Sequence, residues 1–298
     1  MSGNWNSFMA PNEPVDSNAL AVDSPNVVFI MGAARSGSTL LGTLLGEVDD
    51  VFFAGELCDW AHLEGVSTVP RSQPFWERVR SHVGPLPNRS SSYKRIFEHP
   101  AGLVDRINYR RERSDYEHLT LDVLEGVATE SGASIIVDSS HYPRRAQVLR
   151  RLLGPDRVRL VFLVRRPSSV AQSFRKTGEK GVLQANLYMM VVSVMAWLTY
   201  LSHPRSRRAI VSYEMMVEAP LTAGGVALGK PLVGVDPYQM SPPQVLIGNR
   251  FVKADEDVKF NVRGNTEAPN LQERLSDLVQ LPLRLAALAA RRRSIVPN

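Results

Sequence analysis

The chain lacks several features that define whole classes of protein. Its 298 residues contain one cysteine, Cys58, so a disulfide framework is excluded. The six histidines and that cysteine show no metal-ligand spacing, and no metal is expected. No internal repeat is evident, which argues against a solenoid or a propeller. No basic stripe with interleaved aromatic residues is present, so nucleic acid is not expected as a partner.

No secretory signal is visible either, and a cytoplasmic location is expected. Residues 1–25 are polar and predict a disordered tail, followed by one domain over residues 26–298. Residues 185–201 are apolar but shorter than the ~20 residues that cross a bilayer, so a buried core helix is expected and no integral membrane segment. As alternatives, this segment forms a dimer face or one wall of an acceptor pocket. A homodimer therefore stays possible. The formal charge of +5 either lies on solvated faces or attracts a polyanionic small ligand.

What the chain does contain is an anion-binding loop without its usual lysine. Residues 27–31 predict a buried strand, and residues 32–39 follow the spacing G-x-x-x-x-G-K-S/T with Ser38 in place of the lysine. A helix is expected from Leu40, so four backbone N–H groups converge on one anion: those of Ser36, Gly37, Ser38 and Thr39. Nucleoside triphosphate enzymes rely on the missing lysine. Arg35 instead suits a terminal anion with several oxygens, so a phosphosulfate is expected rather than a triphosphate.

The rest of the chain alternates between short apolar runs and helical stretches. Further strands are predicted at residues 51–54, 135–137, 159–164 and 208–212, and helices at 106–126, 142–153, 168–176 and 271–293. This alternation predicts an α/β fold with three layers, α/β/α, around a central, mostly parallel sheet. Residues 57–134 are expected to be a variable, acceptor-facing section, irregular up to about residue 88. Residues 222–243 are rich in Gly and Pro and predict a surface loop.

Charged and polar residues follow these predicted strands. Ligands of parallel sheets bind at the carboxyl ends of the strands. Arg35, Glu56, His141 and Arg165 all stand at such ends. We therefore expect them to meet at one edge of the sheet.

In this arrangement the sequence resembles the sulfotransferases that use 3′-phosphoadenosine 5′-phosphosulfate (PAPS). Residues 32–41 resemble the 5′-phosphosulfate loop of carbohydrate and tyrosylprotein members. Residues 163–174 resemble the 3′-phosphate motif, whose Arg and Ser stand eight apart, here Arg165 and Ser173. Residues 211–220 and 247–250 are weaker matches. The resemblance implies a P-loop-like sulfotransferase fold, PAPS as co-substrate, no metal, and an acceptor hydroxyl on a small molecule, glycan or lipid.

The resemblance also implies roles for individual residues. Glu56 is expected to be the general base, with a structural partner of Arg35 or a ribose contact as alternatives. Arg35 and Ser38 would stabilise the leaving group. Arg165 is expected to hold the 3′-phosphate, or else to form a surface ion pair. Ser173 and Arg250 are expected to bind the same phosphate. The alternative for Ser173 is a solvated position on a helix, and the alternative for Arg250 is a surface role.

One motif departs from the family pattern. Residues 138–141 read Asp-Ser-Ser-His, where related bacterial sequences often read Asp-Ser-Ser-Lys. His141 replaces the charge of that lysine only when it is protonated; otherwise it donates a neutral N–H or serves as a second base. Two other functions therefore stay open for the whole chain. These are a P-loop nucleotide kinase-like enzyme and a catalytically inactive nucleotide-binding scaffold.

Overall fold

The centre of the molecule is a parallel sheet of five strands in the order β2-β3-β1-β4-β5. The computed structural model describes residues 24–99, 106–178, 181–247, 270–281 and 285. The strands are β1 (Asn26–Gly32), β2 (Val51–Gly55), β3 (Ile135–His141), β4 (Val158–Val164) and β5 (Arg208–Ser212). The sheet and the helices around it confirm the predicted three-layer α/β/α fold.

Nine α-helices surround this sheet in the described part of the chain. They are α1 (Ser38–Gly46), α2 (Gln73–Val83), α3 (Arg106–Ser131), α4 (Pro143–Leu153), α5 (Pro167–Thr177), α6 (Val182–Leu201), α7 (Tyr213–Glu218), α8 (Pro220–Leu228) and α9 (Leu271–Val279). Side chains of α2, α3 and α4, with part of α6, pack on one side of the sheet against Phe29 and Met31. Side chains of α1, α7 and α8 pack on the other side against Val28 and Ile30. Because both faces are covered, the strands are apolar throughout rather than alternating.

Strand β1 lies in the middle of the sheet and fixes where the loop that follows it emerges. Val28 is paired with Val137 of β3 and with Arg159 of β4. The β1–β3 pairing is irregular beyond Phe29, where the partners shift from Asp138 to His141. This irregularity lies at the carboxyl edge, where it changes the direction of the side chains that follow.

Two segments that were expected to be irregular contain helices. Helix α2 lies within residues 57–88, and its Pro74 is in the first turn, where a helix tolerates proline. Helix α8 covers the first part of the predicted loop at residues 222–243 and begins at Pro220 for the same reason. The first prediction was wrong at α2 because proline was interpreted as a breaker rather than as a first-turn residue. The second was wrong at residues 222–228 because Gly224 and Gly225 were interpreted as loop residues.

The expectation of a buried core helix at residues 185–201 holds for one side of the helix only. Helix α6 buries Ala185, Met189 and Val192, but Leu183 is 84% exposed and Leu198 61% exposed. Of its most apolar 18-residue window, 28% is buried. In the described residues α6 alone has the length and composition of a membrane span. That test rests on length and composition only.

Candidate active site

The loop between β1 and α1 brings backbone N–H and hydroxyl groups together at the start of a helix, an arrangement that suits an anion. Gly37 precedes the helix in the left-handed region, with φ of 98°. A Cβ atom there would lie 2.6 Å from the Tyr213 ring, so only glycine fits without movement. Ser36 and Ser38 are buried beside it. The helix begins at Ser38, so residues 36–39 do lie at its N-terminus, as predicted.

Arg165 lies directly against this loop. One of its terminal guanidinium nitrogens donates a hydrogen bond of 2.8 Å to the backbone carbonyl of Arg35. Its guanidinium carbon lies 4.0 Å from the centroid of the Tyr213 ring, a cation–π contact. Arg165 forms no ion pair within the described residues, and its buried Nε has no hydrogen-bond partner there. The alternative of a surface ion pair is not seen among the described residues, and the role of Arg165 stays a prediction.

The structure gives less information on Ser173 and Arg250, the other two residues expected at the 3′-phosphate. Ser173 lies half-buried in the second turn of α5 and makes no hydrogen bond with Arg165 in the part of the chain described. The first turn of α5 is instead held by Asp277, which accepts bonds of 3.0 and 2.8 Å from the N–H and hydroxyl of Ser168. Arg250 lies outside the described residues. The roles of Ser173 and Arg250 stay predictions.

Glu56 and His141 face each other at the same sheet edge. Glu56 follows β2, His141 ends β3, and their Oε1 and Nε2 atoms are 3.2 Å apart. His141 has a φ of 66°, an uncommon conformation for a residue with a side chain. This conformation and the irregular pairing at the end of β3 accompany the approach of its ring to Glu56. The sequence placed both residues at this edge, but it did not predict their direct contact.

A second ion pair lies behind the first. Lys94 Nζ is 2.6 Å from both carboxylate oxygens of Asp59. Asp59, Cys58 and Glu56 each offer a ligand atom, and these atoms lie within 4.8 Å of one another. The ionisable side chains therefore follow one another in the order His141, Glu56, Asp59, Lys94. Sequence reasoning missed Lys94 because it lies in the π-helical turn Lys94–Glu98, in a section without a recognisable motif.

These charges set the ionisation of Glu56. Burial is the largest single influence and raises the pKa of Glu56. The charge and hydrogen bond of His141 lower it, and Lys94 and Arg35 lower it further, so the net pKa is below the usual value for a glutamate. Glu56 is therefore a carboxylate at neutral pH, the form in which it accepts a proton.

The acidic groups beside His141 are spaced closely enough to hold a metal ion, so the expectation that no metal is bound needs examination. Glu56, Cys58 and Asp59 are the three residues with that spacing. The ammonium group of Lys94 already bonds both Asp59 oxygens. Burial raises the pKa of the Cys58 thiol well above its usual value, which disfavours the thiolate that a metal needs. The absence of a metal stays a prediction.

A buried polar network connects the Glu56 segment to β3. The N–H of Cys58 donates a 2.9 Å bond to the Ser140 hydroxyl. The N–H of Ser140 in turn donates to Asp138. Arg145 lies between two carboxylates, donating to Asp138 at 2.7 Å and to Glu98 at 2.8 Å. Because all these groups are buried and bonded, they hold the backbone near Glu56 in one position.

Tyrosine rings border the site on the side of α4 and α6. The N–H of Ala34 donates to the Tyr188 hydroxyl at 3.3 Å, which ties α6 to the loop. Lys94 Nζ lies 5.8 Å from the centroid of the Tyr142 ring. Tyr188 therefore lies against the loop after β1, and Tyr142 lies beside Lys94.

These features define a class of protein: an α/β/α fold with a lysine-free anion-binding loop and a carboxylate beside it. The sequence matches the family model described as "Sulfotransferase family" over residues 25–223. The chain therefore belongs to the sulfotransferase family.

Solved structures agree on the fold. A sulfotransferase domain from the curacin biosynthetic pathway is 18% identical, with a TM-score of 0.51 over 87% of this chain and 98% of that one. A sulfotransferase domain from the Synechococcus PCC 7002 olefin synthase is 19% identical, with a TM-score of 0.50 over 87% of this chain and 96% of that one. No curated protein matches the sequence.

Proposed function

We propose that this chain transfers a sulfuryl group from PAPS to the hydroxyl of a small molecule, glycan or lipid. The observation that carries the proposal is the meeting of three features at one sheet edge. These are a glycine-cradled loop without a lysine, an arginine beside it with a free N–H group, and a carboxylate held ready to accept a proton. A cytoplasmic location stays a prediction.

The donor side of the site fits PAPS in its chemistry. The buried hydroxyls of Ser36 and Ser38 lie at the N-terminus of α1, which suits the 5′-phosphosulfate group. The partnerless Nε of Arg165 is a buried donor that a second phosphate would satisfy. We assign Arg165 to the 3′-phosphate, with Ser173 and Arg250 as its further expected contacts. That second phosphate distinguishes PAPS from ordinary adenine nucleotides.

In the reaction, the acceptor oxygen attacks sulfur while the bond between sulfur and the phosphate oxygen breaks. The electron pair of that bond leaves with adenosine 3′,5′-bisphosphate, and the proton of the acceptor hydroxyl passes to Glu56. The transition state is loose, as in phosphoryl transfer, so positioning and charge matter more than covalent chemistry. Arg35 and the Ser38 hydroxyl stabilise charge on the leaving oxygen.

His141 supports the base rather than replacing it. Its Nε2 lies 3.2 Å from Glu56, so it orients the carboxylate. When protonated it also places positive charge beside the reacting groups, where related sequences often have a lysine. We therefore assign the base role to Glu56 alone, and a second-base role of His141 stays an alternative.

The test is sulfuryl transfer in the presence of EDTA. The protein is incubated with isotope-labelled PAPS and pools of hydroxyl compounds, and products heavier by one sulfuryl group are sought by mass spectrometry. Labelled product in EDTA is the expected result. A kinase-like enzyme would instead require Mg²⁺ and ATP, and a scaffold would bind adenosine 3′,5′-bisphosphate without forming product from any pool.

A further inference from the structure

We propose that α6 and α9 together form a docking face for a second copy of this chain. On α6 the large apolar residues that are at least 38% exposed are Leu183, Leu187, Met190, Val191, Val194, Leu198 and Leu201. On α9 and just after it they are Leu271, Leu275, Leu278, Leu281 and Leu285, each at least 42% exposed. We call these two sets the apolar face.

Helix α9 is turned the opposite way from an ordinary amphipathic helix. Its polar residues Glu273 and Ser276 are fully buried, and Gln280 is 4% exposed. Glu273 accepts a 2.8 Å bond from Arg175 of α5, and Gln280 donates a 3.2 Å bond to Asn186 of α6. Since the polar side is used inside the molecule, the leucines point outward. A surface helix normally buries its apolar side, so this orientation indicates that a partner covers the leucines.

The size of the face matches a protein interface. The two helices adjoin where Gln280 bonds Asn186, and their exposed apolar residues together present on the order of 1,000 Å² of accessible area, against about 300–600 Å² for the largest apolar patch on a typical monomer. A stable protein–protein interface buries about 800 Å² on each partner. The face is therefore large enough for a stable dimer.

The chemistry of the face favours a protein over a lipid surface. Helices that lie on membranes present Trp or Phe with Lys or Arg along their borders. On α6 the large aromatic residues turn inward: Trp197 stacks on Tyr200 with ring centroids 5.7 Å apart, and Tyr200 is 3% exposed. None of the 20 residues of α6 is charged, and among the described residues of α9 Arg274 is the exposed cation.

The pattern along α6 favours a second copy as that protein. Its exposed residues recur at steps of three and four positions from Leu183 to Leu201, which gives one ridge along the helix. Ridges of this kind pack into the grooves of a facing helix. An uncharged apolar ridge is complementary to itself, which a two-fold dimer requires.

The first test is the mass of the full chain in solution. Sedimentation equilibrium should give twice the chain mass of 33.1 kDa for the wild type. The double variant Leu187→Glu/Leu198→Glu should bind its copy at least about 10-fold more weakly, because charge enters a desolvated interface. Val233→Glu is the matched control, since Val233 is 85% exposed outside the face, and it should remain dimeric. Far-UV circular dichroism confirms that each variant is folded.

A wild type that stays monomeric up to roughly 100 μM would overturn the proposal. So would a folded double variant that dimerises as tightly as the wild type. Co-sedimentation of monomers with phosphatidylserine vesicles, lost in the double variant, would make a lipid surface the occupant and also overturn it. None of these results depends on sulfuryl transfer.

Cysteine cross-linking tests the position of the interface. Val191→Cys lies mid-way along α6 and should form an intermolecular disulfide under mild oxidation. Val66→Cys, at 46% exposure against 38% for Val191, is the control and should not. Cys58 is the native cysteine and is buried, so the background is low. Equal cross-linking at positions 66 and 191 would contradict the proposed face.

Discussion

The two sides of the site differ in how their charges are partnered. On the donor side, Arg165 rests on Tyr213 and a backbone carbonyl, and among the described residues no carboxylate pairs with it. On the base side, Glu56 faces His141 and Asp59 faces Lys94. A cation without an acidic partner is suited to an incoming anion. A carboxylate that His141 contacts and whose pKa is lowered is suited to staying ionised until it takes a proton.

The largest effect is expected on the base side. Glu56→Gln removes the proton acceptor while keeping the shape of the side chain, so turnover should fall by ~10²–10⁴. Affinity for adenosine 3′,5′-bisphosphate should stay within a few-fold, because Glu56 lies outside the donor side. Steady-state kinetics and calorimetry measure the two quantities. The exposed Glu64→Gln is the control, and full turnover in Glu56→Gln would remove the base assignment.

The next effect belongs to the donor side. Arg165→Met removes charged hydrogen bonds worth about 1.5–3 kcal/mol, so calorimetry should show adenosine 3′,5′-bisphosphate binding about 10- to 150-fold more weakly. Arg166→Met is the matched neighbour, since Arg166 is exposed, and it should bind normally. Equal losses in both variants would mean that general positive charge, rather than the position of Arg165, attracts the nucleotide.

The loop itself should be sensitive to a single methyl group. Gly37→Ala combines a φ of 98° with a Cβ placed 2.6 Å from Tyr213. We expect a loss of about 1–3 kcal/mol in the free energy of unfolding, measured by urea denaturation. Gly84→Ala is the control, because Gly84 has a φ of 74° but nothing within 4 Å of its Cβ position. Gly84→Ala should lose only the part of the free energy of unfolding that comes from placing alanine at a positive φ. An equal loss in Gly37→Ala and Gly84→Ala would show that the Tyr213 ring moves aside.

The smallest effect is a shift in the acid limb of the pH profile of kcat/KM, which reports Glu56 in the free enzyme. Because the pKa of Glu56 is lowered, wild-type activity should persist below the usual glutamate range and fall only as Glu56 protonates. His141→Asn removes the larger lowering influence and should move the limb to higher pH. Lys94→Met should move it the same way, but less.

Asp59→Asn should shift the acid limb of the pH profile in the opposite direction. It removes a negative charge close to Glu56, so the acid limb should move to lower pH. The exposed Lys230→Met is the control and should leave the limb in place. Shifts in the same direction for Lys94→Met and Asp59→Asn would indicate a structural role for this ion pair instead of an electrostatic one.

The two sides also differ in how far the sequence predicted them. The loop at residues 32–39 is a local motif whose spacing carries its geometry, so the strand was predicted correctly and the start of the helix lies two residues before the predicted Leu40. Arg165 was placed because it ends a strand. Lys94 was missed because its pairing with Asp59 depends on how the turn Lys94–Glu98 packs against the turn Leu57–Asp59, which no local pattern encodes. The outward leucines of α6 and α9 were missed for the same reason, since periodicity alone does not show which side of an apolar helix faces the sheet.

The most direct test of a two-sided site for an activated sulfate donor is calorimetry with adenosine 3′,5′-bisphosphate in EDTA. We predict one nucleotide bound per chain without added metal, and clearly weaker binding by Arg165→Met. Binding of ATP with Mg²⁺, together with no detectable binding of the bisphosphate, would contradict the account.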